Sequence, residues 1–443
     1  MERHKSRLKA EFVKARVRRR CASVDELKAF VSKEKTKTAL GGPHTVSSAV
    51  YPRWVRVNNV RSSIDAQLGS TFSSYREVRS LSDLNSEEPR LFVDPNIPDL
   101  LAVNPDVDLT TCPAYKNGEI ILQDKASCFP AYLLAGGDFG WEGDLIDGCA
   151  APGNKTTHLA SLLSRQAQKD CENKKAPRCR IFSIDASATR SKTLQKMVSS
   201  AGADDIVKVL AGQDFLALDP DDSRFANVSG LLLDPSCSGS GIIGRDDVPQ
   251  LVLPASQQPA KSRGKKRKRK DESGSPTTNI SLAEGNEVPE RDIDLDRLSK
   301  LSNVQTRIIE HAFCFPAATC ITYSTCSIHM IENESVVSRA LASDAAKRRG
   351  WRIMRRDEQP EGLAVWKHRG VREEDSGKAS ALASSDVAPV NLSDEELDAC
   401  LRCWPGDEEG LGGFFIAGFI RDSHSNGIET NGDEEDEWDG FSD

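Results

Sequence analysis

The chain has 443 residues, of which 38% are apolar and 28% charged. That apolar share lies below the roughly 45–50% usual for globular proteins, so solvated stretches must accompany at least one sizeable core. No run of about 18 apolar residues marks a membrane-spanning helix, and the start MERHKSRLKAEF lacks an apolar signal core.

Along the chain, the net charge of −8 resolves into blocks. Residues 1–35 read as a basic helix or arm. Residues 1–20 hold nine Lys or Arg and two acids, with Leu8, Phe12, Val13 and Val17 as a sparse apolar stripe. A Gly/Pro/Ser-rich linker over 36–50 completes this arm. Residues 51–135 read as a small α+β module. PRWVRVNNV alternates like a strand, with either Trp54 or Val55 facing inward. A helix is expected within 62–84, then Asp-Pro and Asn-Pro turns, then the strand EIILQD.

From Gly143 strands alternate with helices. GDLIDGCA is followed by the helix KTTHLASLLS, with Leu159, Leu162 and Leu163 on one face. RIFSID and a helix stopped by Gly202 come next, then the strands IVKVLAG and VSGLLLDP. LSKLSNVQTRIIEHAFCF, AATCITYSTC and MIENESVVSRALAS supply a helix, a strand and a helix. LGGFFIAGFI (411–420) reads as a last buried strand. The alternation predicts an α/β domain over 136–420 with a doubly wound, mostly parallel sheet.

Residues 245–292 interrupt this order with Pro, Ser, Lys and Glu, and are expected as a disordered insertion. Within it KSRGKKRKRK (261–270) holds eight basic residues, a run suited to phosphate backbones or to a nuclear-import receptor. Residues 421–443 are expected as an acidic disordered tail. Residues 422–443 carry nine acids and no Lys or Arg; without them 59 basic face 58 acidic residues, a net of +1.

Twelve cysteines without a secretion signal read as reduced thiols, so a special one is special for its reactivity. Cys400-Leu-Arg-Cys403 is a lone CxxC without a second pair at zinc spacing and reads as structural. The seven histidines form no HxxxH cluster, and no metal is implied.

The chemistry lies in loops that follow strands. DGCAAPGNKTT (147–157) sits where the first parallel strand meets its helix, the rim at which doubly wound sheets bind ligands. Its small residues let backbone approach a ligand, and the next helix offers its N-terminal amides. A phosphate loop is disfavoured. Asn154 stands where that motif needs Lys, and Lys155, one residue late, is rotated about 100° around the helix. Pro152 also removes an amide that the cradle would use. Asp185, closing IFSID, is placed for ribose hydroxyls of a nucleoside cofactor, either a dinucleotide or S-adenosylmethionine. The absent GxGxxG disfavours a dinucleotide. Asp214, after IVKVL, is similarly placed.

Two cysteines follow two further strands: Cys237 in DPSCSGSG, three residues after Asp234, and Cys326 in YSTCS. Carbon 5 of a pyrimidine is a poor nucleophile. A thiolate adding to carbon 6 makes the ring an enamine whose carbon 5 attacks an electrophilic methyl group. An acid near ring nitrogen 3 helps the addition, and a base must afterwards remove the carbon 5 proton. A nucleophilic Cys, a carboxylate and a second Cys supply these roles, and a lowered thiol pKa would assist.

DGCAAPGNKTTHLA, LLLDPSCSGSG, YSTCSIHMIENE, PRWVRVN and ILQDKAS resemble the Sun-domain (Fmu/NSUN) RNA cytosine-5 methyltransferases over roughly 51–420. The basic start and the DPSCSGSG spelling resemble the subfamily, NSUN-five and its yeast counterpart, that modifies large-subunit ribosomal RNA. The resemblance implies a Rossmann-like S-adenosylmethionine-dependent domain with an RNA-recognition-like N-terminal module. It implies Cys326 as nucleophile, Cys237 assisting product release, and Asp234 at the target base and near the cofactor. Cys149, Ala150, Ala151, Pro152, Gly153, Asn154 and Lys155 would wrap S-adenosylmethionine. Asp185 would hold the ribose with Arg190 beside it, and Asp214 would approach the adenine. It further implies rRNA or a pre-ribosomal particle as partner, nuclear and nucleolar residence, and a helical segment upstream of the basic stretch, inside which this chain begins. The rival readings are an RNA-binding ribosome-assembly factor without turnover and a DNA methyltransferase with the two cysteine roles exchanged.

Overall fold

The computed structural model describes residues 5–24, 26–27, 30, 51–137, 141–169, 179–242, 295–372 and 390–421. The linker at 36–50, the insertion at 245–292 with its basic run, and the tail beyond Arg421 lie outside the described residues. The basic N-terminal segment forms helix α1 (Lys5–Arg18), on which Phe12, Val13 and Val17 are exposed.

The first sheet has five strands: β1 (Arg53–Val57), β2 (Arg76–Glu77), β3 (Arg90–Val93), β4 (Leu100–Val103) and β5 (Ile120–Leu122), in the order β2-β3-β4-β1-β5. Its pairings are antiparallel except β2 with β3. The choice between Trp54 and Val55 resolves into burial of both. Val55 and Val57 pack with Phe72, Leu91, Leu101 and Val103, whereas Trp54 joins the core shared with the second sheet. The helix expected within 62–84 shrinks to α2 (Ile64–Gly69), capped by the Ser63 side chain. Serines end it: the Ser70 and Ser73 hydroxyls donate to the carbonyls of Ala66 and Ser70 and offer the backbone an alternative to helix.

The second unit comprises helix α3 (Lys125–Ala135), β6 (Asp144–Asp147), α4 (Asn154–Lys169), β7 (Ile181–Asp185), α5 (Ala188–Ala201), β8 (Val207–Ala211), β9 (Val228–Leu233), α6 (Leu295–Ala312), β10 (Cys320–Thr325), α7 (Glu334–Ala342), β11 (Arg352–Ile353), β12 (Leu401–Cys403) and β13 (Phe414–Ile420). Its sheet runs β11-β13-β10-β9-β6-β7-β8, with β12 also on β13. The pairings among β8, β7, β6, β9 and β10 are parallel, and those of β13 with β10, β11 and β12 antiparallel. The sheet is therefore mixed, parallel only in the half that carries the motifs. The link from β12 to β13 is too short for the crossover of a dozen or more residues that a parallel pair needs.

Leu159, Leu162 and Leu163 are all buried on α4. The α5 helix is capped by Ser187 and ended by Gly202 at φ 72°. The α3 helix, included at sequence level in the 51–135 module, packs on α4, β9, β10 and β13. Every residue from Ala126 to Ala135 except Ser127 is buried, so it carries no amphipathic signature.

Polar groups cross the seam between the sheets. Lys125 is 2% exposed and lies 2.6 Å from Asp94 Oδ2, between the rings of Trp54 and Trp366. Buried Arg56 donates from β1 to Gln123 Oε1 at 2.7 Å and to Thr157 Oγ1 on α4 at 2.9 Å. Gly118 holds φ 71° where a Cβ would strike the Ser200 carbonyl at the end of α5.

Candidate active site

Parallel pairing aligns the carboxyl ends of β6, β7, β9 and β10, and the loops leaving them share one rim. The register Tyr323↔Leu233 brings the ends of β9 and β10 side by side. Ser324 Oγ donates to Asp234 Oδ1 at 2.7 Å. The thiols of Cys237 and Cys326, 89 residues apart, lie 3.1 Å from one another. The amide of Gly241 donates to the Cys326 carbonyl at 3.0 Å, and Ser327 Oγ lies 3.2 Å from both Ser238 Oγ and Ser240 Oγ.

The two thiols differ electrostatically. The hydrogen bond from Cys237 lowers the pKa of Cys326; burial and Asp234 oppose this, and Lys155 reinforces it. The same bond, with burial, drives Cys237 strongly upward. Either sulfur can donate in this contact, and the nearby Lys155 cation favours the arrangement with the negative charge on Cys326, the thiolate character a nucleophile needs.

Lys155, grouped in the sequence with the cofactor wrap, points toward this chemistry. Its Nζ lies 2.9 Å from Asp234 Oδ2 and 3.2 Å from Ser127 Oγ, over the Phe414 ring. Burial works against its charge, but Asp234 holds its pKa above the ordinary lysine value. A Lys155→Met variant loses the cation that lowers the Cys326 pKa. The acid limb of its kcat/KM–pH profile is expected to move to higher pH, with the rate down roughly 100-fold. An unmoved limb would separate Lys155 from the nucleophile.

Four site residues drew no role from the sequence: Ser127 beside Lys155, Ser324 on Asp234, and Gln305 and Glu332 beside the Cys237 loop. Ser324 lies two positions before Cys326, a strand-period spacing that hints at a shared face. Ser127, Gln305 and Glu332 act on partners distant in sequence and carried no such hint.

On the cofactor side, Ala150 N donates to Ile184 O at 2.9 Å and Ala151 N to Asp185 Oδ2 at 3.3 Å. Arg190 donates to Ala151 O and lies 3.5 Å from Asp185 Oδ2, so the end of β7 grips the loop after β6. Asp185 is 4% exposed, and its Oδ1 accepts from Ser187 N. Gly153 holds φ 117°, which an L side chain rarely adopts, and a Cβ there would crowd Leu194 and Met197. Pro152 is exposed at the loop tip, and Cys149 is a partly buried thiol whose pKa burial raises. Asn154 Oδ1 is buried with no hydrogen-bond partner among the described residues. Asp214 is exposed and caps the turn Phe215–Ala217 by accepting from Leu216 N. Cys400 and Cys403 are fully buried on β12 and its approach.

Asp147 lies beneath the loop, fully buried, and accepts from Thr156 Oγ1 at 2.6 Å. Burial pushes its pKa to about 7. A raised carboxyl pKa means the folded state binds more protons, so this group's effect turns unfavourable as pH rises from about 4 through 7. The cost above pH 7 is roughly 4 kcal/mol as an upper figure. Asp147→Asn is expected to gain stability over the parent as pH rises from 5 to 8 in thermal unfolding. A pH-independent difference would contradict the buried carboxyl.

The family model described as "NOL1/NOP2/Sun domain family member 5, ferredoxin-like domain" matches residues 51–123, and "16S rRNA methyltransferase RsmB/F" matches 140–257. The chain is 34% identical over 415 residues to the Schizosaccharomyces pombe 25S rRNA (cytosine-C(5))-methyltransferase rcm1, spanning 94% of this chain and 70% of that protein. It is 32% identical over 424 residues to the 28S rRNA (cytosine-C(5))-methyltransferase of Mus musculus, spanning 95% and 70%. The crystal structure of a methyltransferase homolog protein from Pyrococcus horikoshii superposes with a TM-score of 0.51 at 18% identity, covering 85% of this chain and 88% of that one, a likeness of fold.

Proposed function

This chain belongs to the NOL1/NOP2/Sun-domain family of rRNA cytosine-C5 methyltransferases, and from that premise we propose that it methylates carbon 5 of a cytosine in large-subunit ribosomal RNA. The observation that carries the reading is the pair of thiols 3.1 Å apart beside the Lys155–Asp234 ion pair, on the rim that also holds the loop after β6.

The residues fit S-adenosylmethionine, which when bound supplies the electrophilic methyl group. The loop of small residues keeps side chains out of the way of a ligand, and Gly153 holds a φ of 117° that an L side chain rarely adopts. Asp185 offers carboxylate lone pairs for the ribose diol, held in place by Arg190. Asn154 Oδ1 is an unused acceptor that suits the ammonium of a methionine end. Asp214, exposed on the loop after β8, would approach the adenine.

In the reaction Cys326, as thiolate, adds to carbon 6 of the cytosine. Asp234, held through one oxygen by Ser324 and through the other by Lys155, orients the ring edge. The electron pair at carbon 5 would take the methyl group, the methyl–sulfur bonding pair staying on the departing sulfur as a neutral thioether. The carbon 5 proton then leaves to a base, its bonding pair closes the ring double bond, and the carbon–sulfur pair returns to Cys326. Cys237 adjoins that sulfur and assists this release. The contact with Cys326, first among the causes that raise the Cys237 pKa, is lost once Cys326 is bonded to carbon.

The target base must leave its stack to reach a thiolate, which favours unpaired or remodelled RNA. The basic N-terminal arm and the run at 261–270 supply salt-sensitive phosphate affinity. The same run, read as an import-receptor ligand, agrees with nuclear and nucleolar residence. The test is methyl transfer from labelled S-adenosylmethionine to large-subunit rRNA, with the modified nucleoside identified by mass spectrometry. 5-Methylcytosine in RNA but not in DNA of the same sequence supports the reading. Intact RNA binding without transfer to any rRNA favours an assembly factor.

A further inference from the structure

We infer that Gln305 and Glu332, neither of which touches the reacting atoms, are positioning residues that clamp the backbone on both sides of Cys237 and so set its release function; this rests on the roles proposed above for the two cysteines. Gln305 lies on α6 and Glu332 in the turn after β10, and both are fully buried. Gln305 Nε2 donates to the carbonyl of Ser236 at 3.0 Å, the residue before Cys237. Glu332 Oε1 accepts from the amide of Ser238 at 2.9 Å, the residue after it. Gln305 Nε2 and Glu332 Oε1 lie 3.1 Å apart and close the clamp.

The clamp acts on one cysteine of the pair. The loop carrying Cys326 is closed by its own bonds: Thr325 Oγ1 donates to Asn333 Oδ1 at 2.6 Å, and Asn333 Nδ2 donates to the Ser327 carbonyl at 2.9 Å. Asp234, upstream in the other loop, is held by Ser324 and Lys155. The backbone from Ser236 to Ser238 is held by Gln305 and Glu332, while the Ser238 hydroxyl separately meets Ser240 and Ser327. Burial matters here, because a backbone carbonyl or amide left without its partner in a water-poor site costs about 1–3 kcal/mol and shifts until it finds another. A shift of about 1 Å suffices to spoil a proton transfer roughly 100-fold.

Loosening the clamp should therefore reproduce the loss of Cys237 and not the loss of Cys326. The carbon 6 adduct still forms, but the carbon 5 proton is not removed, so the C6–S bond does not break and the adduct accumulates. The experiment uses the full chain with rRNA and S-adenosylmethionine. It compares the parent, Cys237→Ala, Gln305→Met and Gln305→Asn for the rate of adduct formation, the steady-state level of the denaturant-stable protein–RNA band, and turnover.

The expected result is turnover lowered roughly 10- to 100-fold in both Gln305 variants. The adduct should build up as in Cys237→Ala, at a formation rate within about threefold of that variant. Glu332→Gln, which keeps the acceptor, should stay within a few-fold of the parent. A parental adduct level in the Gln305 variants, while Cys237→Ala accumulates it, overturns the clamp. Loss of adduct formation in both Gln305 variants makes the pair a general scaffold and also overturns it. Absence of accumulation in Cys237→Ala itself removes the assignment of the cysteines, and the clamp with it.

Discussion

Cys326→Ala is expected to lose methyl transfer by at least roughly 10⁴-fold and to form no covalent protein–RNA band, because the only route to a nucleophilic carbon 5 begins with sulfur on carbon 6. Cys237→Ala is expected to behave oppositely, keeping adduct formation and losing release, so that the denaturant-stable band becomes stronger than in the parent. The two thiols are 3.1 Å apart, and either could reach the same atom. What separates them is charge: Lys155 adds its field to Cys326 and favours the thiolate there. Gel analysis of both variants with rRNA and S-adenosylmethionine decides the matter. A band in Cys326→Ala and none in Cys237→Ala would exchange the roles and reopen a DNA-type mechanism.

The largest loss of stability is expected from breaking the buried pair of Arg402 and Glu334. Arg402 donates to both carboxylate oxygens at 2.7 and 2.5 Å, with side-chain exposures of 1% and 0%. It also donates to the carbonyl of Ile328 at 3.2 Å, two residues past Cys326, and stacks on Trp404 and Phe415. Removing one partner strands the other charge in a dry interior. Arg402→Met should cost about 3–5 kcal/mol, a fall in Tm of roughly 10 °C. Removing both charges, as Arg402→Met with Glu334→Leu, should recover most of that loss. Thermal unfolding of the two single variants and the double one checks this, and a single-variant loss below about 1 kcal/mol would contradict a dry pair. Activity should fall further than stability alone explains in Arg402→Met, since the Ile328 carbonyl loses its donor.

The helix-strand alternation after Gly143 was legible because each amphipathic helix shows a 3.6-residue stripe and each parallel strand an apolar run. Leu159, Leu162 and Leu163 and the Gly202 stop lie as that pattern requires. The α3 helix was not legible, since burial on all sides erases periodicity. The β3 and β4 strands were hidden among Asp-Pro and Asn-Pro turns, and the antiparallel end of the sheet is a matter of connection length rather than of strand composition. Arg56 reads as the polar face of a strand, yet it is buried because that face meets α4 instead of water.

For the site, the residue types and their loops were legible from the sequence alone. Small residues before a helix, an acid closing a strand, and two cysteines each just past a strand are local patterns, so they identify themselves without partners. The tertiary structure alone decided what they do to one another. It set the thiols at 3.1 Å, paired Lys155 with Asp234, and recruited Ser127, Ser324, Gln305 and Glu332. Distance, burial and charge between residues far apart in the chain set pKa values and geometry, and these exist only once parallel pairing has brought the strand ends to one rim.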